Sequence, residues 1–280
     1  MLFRSFLILI SLVKLLKKAL FTGLISALAL TASAQNTPSD STEFAFLPAI
    51  SYNSDLGLIG GGITSWYNYK NNTYPFYSYV TLAGVISTKG LASFSLLYDK
   101  PYAFEKDLRI TTEVFASRFF EDAYFGIANY SKISDTPTDL PLFYQFQSFS
   151  AGFRTTARLP LKKLESLKQL DANLIINFRY ETPWDNGDDR LITREQPLGI
   201  DGGRTSMLGV GLIWEGRDSE FQPKKGNYAE SRVEIGSTIW GSSYDLAIIE
   251  NDIRQYATFY FIREITFATR LFSQIGRAHV

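Results

Sequence analysis

The stretch Phe149-Ser150-Ala151-Gly152-Phe153-Arg154-Thr155-Thr156-Ala157-Arg158-Leu159 alternates without a break. Its odd positions read Phe, Ala, Phe, Thr, Ala, Leu, and its even positions Ser, Gly, Arg, Thr, Arg. Successive side chains of a strand point to opposite faces, so this period of two gives a β-strand with one apolar and one polar face. The same pattern recurs at Leu174, Ile176, Phe178 and Tyr180 against Asn173, Ile175, Asn177, Arg179 and Glu181. It returns at Leu208, Val210, Leu212 and Trp214 against Gly209, Gly211, Ile213 and Glu215. Around Ala229–Ile239 the polar face carries Glu230, Arg232 and Glu234, and around Leu108–Ala116 it carries Arg109, Thr111 and Glu113.

Working outward from these runs predicts strands at Phe44–Tyr52, Leu56–Tyr69, Pro75–Ser87, Leu91–Asp99, Leu108–Phe119, Phe143–Leu159, Ala172–Trp184, Thr205–Arg217, Tyr228–Trp240, Ile248–Ile262 and Thr266–Ser273. Alternation alone fits a soluble sandwich and a membrane barrel equally. Three further features separate them. The runs are about 9–12 residues long, enough for a tilted strand to cross a bilayer, whereas globular strands average about 5–6. Aromatics gather at run ends: Trp66, Tyr67 and Tyr69; Tyr98 and Tyr102; Phe119 and Phe120; Tyr180 and Trp184; Trp240 and Tyr244. Rings there suit the headgroup level. The polar faces mix both signs of charge, with Arg154, Arg158, Arg179, Glu181, Glu230, Arg232 and Glu234 expected to face the lumen. The expected fold is all-β, an antiparallel transmembrane β-barrel, with residues 44–274 as the barrel.

Composition agrees. The 280 residues hold 28 basic and 28 acidic side chains, which gives no net pull toward nucleic acid, and 15% aromatics. There is no cysteine, hence no disulfide and no thiolate metal site. Lys14, Lys17 and Lys18 precede an apolar run from Ala19 to Leu30, and Ala32-Ser33-Ala34 follows. This is the build of a secretory signal, residues 1–34, with cleavage specified by Ala32 and Ala34. Residues 35–43 form a short linker.

Glu121–Leu142 and Asp185–Arg204 are long and polar and are expected outside the cell. The shorter Leu161–Leu170, Asp218–Asn227 and Arg263–Ile265 are expected as periplasmic turns, with Lys162, Lys163, Glu165 and Lys168 in a helical turn. Gly60-Gly61-Gly62 lacks the Lys-Ser/Thr of a phosphate loop and reads as a close-approach site within a strand. Asp188 and Asp189 read as a solvated loop pair.

The segment from Trp214 through Tyr228 resembles the signature turn of the BamA/TamA family of outer-membrane proteins, also called the bacterial surface antigen family. Arg217, Asp218, Phe221, Pro223 and Gly226 fit its pattern, and Glu215 stands where Asp is usual. Pro48 through Gly62 resembles the family's opening strands, and Tyr124 through Asn129 its Gly-Ile-Gly-Asn loop, with Ala128 in place of Gly. The turn also reads as architecture on its own. Pro223 presets a turn dihedral, Gly226 supplies positive φ, and Arg217 with Asp218 braces the loop.

The resemblance implies about sixteen strands, of which about eleven are present here. It also implies a role in outer-membrane protein assembly and insertion or in surface architecture. The implied partners are outer-membrane lipid and unfolded outer-membrane protein clients. With only residues 35–43 before the expected barrel, the periplasmic polypeptide-transport-associated (POTRA) domains that BamA-type members carry are not expected here. Ile275 to Val280 breaks the strand pattern and matches what a common sequencing adapter encodes, so residues 275–280 are expected to be an artefact and the chain a fragment. A passive porin-like channel is the alternative reading, favoured by the mixed-charge lumen. A membrane-embedded hydrolase needs a histidine base, and His279 in that tail is the only one. Neither an enzyme activity nor a cofactor is expected.

Overall fold

Antiparallel strands need only a short connection to reach their partner, and every strand of this chain pairs with the one that follows it. The computed structural model describes residues 40–70, 73–126, 143–163, 169–184, 187–261 and 263–279. The expected signal peptide, with Ala32 and Ala34, lies outside the described residues, as do Ile127, Ala128, Asn129, Glu165 and Lys168. The strands are β1 (Ser41–Asn53), β2 (Gly57–Tyr69), β3 (Ser78–Ser87), β4 (Ala92–Lys100), β5 (Arg109–Ala123), β6 (Gln145–Lys163), β7 (Gln169–Pro183), β8 (Gly203–Glu215), β9 (Gly226–Gly236), β10 (Asp245–Tyr260) and β11 (Glu264–His279). They form one 11-stranded sheet in sequence order, each pairing antiparallel with the next. β1 and β11 pair on one side only among the described residues, so the sheet is a partial barrel and does not close.

Burial is inverted relative to a soluble protein. Ile176 and Val210 are 51% and 60% exposed, while Asp171 and Glu234 on the opposite face are 0% and 3% exposed. An apolar exterior around a polar interior suits a lipid surround. The polar face is concave. In a flat sheet, strands three apart lie about 14 Å from one another. Yet Arg154 on β6 forms an ion pair with Glu234 on β9, and Phe76 before β3 lies 6.0 Å, ring to ring, from Phe221 after β8.

Several boundaries depart from the expectation. β3 starts at Ser78 rather than Pro75, because Phe76 turns inward and is 1% exposed. β6 runs through Lys163, so Lys162 and Lys163 belong to a strand instead of a helical turn. β1 begins at Ser41, inside the expected linker. β11 continues past Ser273 to His279, which pairs with Asp245; backbone pairing needs no alternating side chains. Connection lengths alternate as expected only from β5 onward. At the end of the sheet that holds residues 124–126, 143–144, 187–202 and 237–244 (the loop end), the first two connections are the tight 54–56 and 88–91. At the other end (the turn end) residues 70–77 and 101–108 are longer because they pack inward, burying Phe76 and Ala103. Tyr67 and Tyr69 also point into this cluster rather than outward: Tyr67 stacks on Tyr79 at 4.5 Å and on Tyr69 at 6.4 Å.

Candidate functional site

Period two places most of the charges of β4 to β11 on one surface, and curvature then brings distant strands together there. The lower cluster lies at the turn end. Arg109 on β5 bridges Asp99 on β4 at 2.6 Å and Glu220, beyond β8, at 2.7 Å. Arg158 on β6 pairs with Asp171 on β7, the latter fully buried. Arg217 forks onto Glu215, with Nε and Nη2 donating at 2.7 and 2.6 Å. These groups surround a cavity of about 220 Å³ that Tyr74, Pro101 and Gln169 also line.

The upper cluster lies further along the concave face. Glu234 accepts from Arg154 Nη2 at 2.5 Å and from Asn177 Nδ2 at 3.3 Å, and it sits 3.2 Å from Arg232. Arg232 also pairs with Glu230 at 3.3 Å and with Glu250. Asp252 holds Arg254 at 2.5 Å and Arg270 at 2.8 Å. Buried ion pairs of this kind add little net stability but fix which groups must meet.

The turn of residues 216–225 is built around two side chains. Asp218 Oδ1 accepts from the backbone N–H of Lys224 and Lys225 at 2.9 and 3.1 Å. Burial pushes its carboxyl up, but those N–H groups outweigh it and hold the carboxyl below its ordinary range. Arg217 donates to the Glu220 carbonyl at 3.2 Å and lies over the Tyr228 ring at 4.7 Å. Desolvation lowers its pKa, yet the Glu215 carboxylate raises it overall. Pro223 fixes its own φ between these anchors. Gly226 has φ +102°, and a Cβ there would lie 2.0 Å from the Gly216 carbonyl oxygen. Phe221 reaches across to Phe76.

All the charges expected to face the lumen lie on the concave face, but not together. Arg179 and Glu181 sit apart at the loop end, half exposed and 3.8 Å from each other. Arg109, Asp99, Asp171, Glu220, Asp252, Arg254 and Arg270 complete the clusters, and sequence reasoning misses them as site residues. The parity of those on strands is readable, but their partners follow from the register of neighbouring strands, and Glu220 comes from the turn after β8. Phe76 carries no signal at all. At the loop end, residues 187–202 are not a free polar loop. A short helix, α1 (Leu191–Glu195), is tied down by Tyr124 Oη donating to Glu195 at 2.8 Å and by the Leu191 N–H donating to the Phe143 carbonyl. Asp188 and Asp189 are exposed there.

Chemically, the clusters tie their carboxylates to guanidinium groups instead of leaving one poised as a proton acceptor. Among the described residues, no group of three or more His, Cys, Asp and Glu side chains could hold a metal ion.

The Omp85 superfamily domain is matched over residues 78–279, a span that takes in both clusters and the turn. The chain belongs to the Omp85 superfamily. The family kinship expected from Trp214 through Tyr228 is therefore found at the level of the superfamily, and with it an outer-membrane β-barrel. Among solved structures, this Omp85 chain is similar to BamA from Haemophilus ducreyi lacking POTRA domains 1-3. The identity is 15% and the TM-score 0.47, covering 85% of this chain and 41% of that one. The Omp85 chain thus spans less than half of that BamA chain. No curated protein matches it.

Proposed function

We propose that this Omp85 chain works in outer-membrane protein assembly, handling unfolded barrel clients at the membrane rather than conducting solutes. One observation carries the reading: the concave face is locked by ion pairs across non-neighbouring strands, Arg154 to Glu234 and Arg109 to Glu220. A passive channel keeps its wall charges hydrated and free to meet solute. Here the same charges are spent on each other, and Phe76 packed near Phe221 crosses the turn end. What the family then contributes is a barrel whose business is with other strands and with lipid. On this reading the loop end faces outside and the turn end the periplasm. The test is to reconstitute the full chain into vesicles and follow folding of a urea-denatured outer-membrane barrel client. Insertion faster than in protein-free vesicles, without steady ohmic conductance across a planar bilayer, is the expected result. Conductance with no acceleration would instead establish the channel.

A further inference from the structure

The convex face, which should meet lipid, carries a groove with a cation at its rim. Strand register aligns Gly60, Ile86, Ala92, Arg118 and Phe149 in one rung across β2 to β6. The next rung toward the turn end aligns Gly84, Phe94 and Ala116. Ile86, Phe94 and Phe149 stand exposed as walls, and the glycines and alanines between them form a floor. The groove measures about 580 Å³. A Cβ built on Gly60 or Gly84 would meet no atom within 4 Å, so the floor opens onto empty space rather than onto packed neighbours.

Arg118 lies at the loop-end rim, level with the turn of residues 88–91. Its guanidinium sits 4.0 Å from the Phe120 ring and 3.8 Å from the Trp184 ring. Among the described residues it meets no carboxylate. Its Nε and the Nε1 of Trp184 are buried N–H donors with no acceptor among the described residues. A long cationic side chain on a membrane face ordinarily reaches up to water. This one is held against two rings instead, with no counter-ion among the described residues. The oxygens of a phosphate match a guanidinium fork. The apolar groove running from it toward the membrane interior matches an acyl chain.

We infer that this groove binds one membrane lipid with an anionic phosphorylated headgroup, its phosphate on Arg118 and a chain over Gly60 and Gly84. A free phosphate ion would leave the groove unfilled. The test is native mass spectrometry of the full chain in detergent, titrated separately with dioleoylphosphatidylglycerol, dioleoylphosphatidylcholine and inorganic phosphate. One phosphatidylglycerol should be retained, in preference to phosphatidylcholine, whose choline offsets the phosphate charge, and inorganic phosphate should not be retained. Arg118→Gln should weaken retention about tenfold, the loss expected for one charge-assisted contact, and Arg118→Lys should recover part of it. Gly84→Leu should also weaken retention, because it fills the groove while leaving Arg118 in place. This second variant keeps the test alive if the Gln variant fails to fold, as judged by far-ultraviolet circular dichroism. Equal retention of the two lipids, or unchanged retention in both the Gln and Leu variants, would overturn the proposal. So would a protein dimer, free of lipid, that the same variants abolish.

Discussion

Gly226 shows how much one residue can constrain. Its φ of +102°, and the 2.0 Å that would separate an added Cβ from the Gly216 oxygen, leave no room for any side chain. Gly226→Ala should therefore destabilise the fold by more than about 1 kcal/mol, the usual conformational cost, since the clash adds to it. A lower urea midpoint for folding into micelles is the readout. Asp218 constrains the same turn through charge. Its folded pKa is depressed below the ordinary 3.8, so its contribution is fully present above that value. It is lost as pH falls through the lowered value. Acid titration of stability between about pH 5 and pH 2 should show a loss in the wild type that Asp218→Asn lacks. A parallel loss in the variant would mean that the carboxylate does not brace the turn as described.

At the scale of one strand, β7 offers a matched pair. Ile176 points outward and Asn177 inward, where Asn177 donates to Glu234. A cation on the lipid side near the midplane costs about 2–4 kcal/mol, so Ile176→Arg should be severe. Asn177→Arg places the same cation beside carboxylates and should cost far less. Equal losses in a refolding titration would reverse the assignment of faces. These faces were legible in the sequence because parity is a local property: Leu174 and Ile176 against Asn173 and Asn177 needs no knowledge of neighbours. Phe76 was not legible. It sits beside Pro75 at the start of an alternating run, and only the folded sheet shows that the chain there leaves the strand to bury a ring.

Across the whole molecule, what the sequence withheld is curvature. Arg154 and Glu234 were both readable as inward charges, yet nothing local says that residues 80 apart will meet. The same holds for the groove at Arg118, which needs five strands in register before it exists. The cross-sheet pair can be tested as a unit. Glu234→Gln strands the cation of Arg154, while Arg232 keeps Glu230 and Glu250, and should cost about 3–5 kcal/mol, whereas Arg154→Met leaves Glu234 still beside Arg232 and should cost less. A double-mutant cycle in urea refolding should return a coupling above about 0.5 kcal/mol, and strict additivity would deny the contact.

The Arg109–Glu220 bridge closes a loop of 111 residues, while each strand hydrogen-bonds to the strand that comes next. Contacts of such different sequence separation carry different closure entropies and form on different timescales. The hairpins can zip up one after another from local contacts alone. The bend that makes the sheet concave must wait until the segment after β8 has arrived. Without that segment Arg109 and Asp99 would lie side by side with no third partner from beyond β8. Glu220 is thus a long-range clasp on the bend, held by a turn far along the chain from the hairpin it curves.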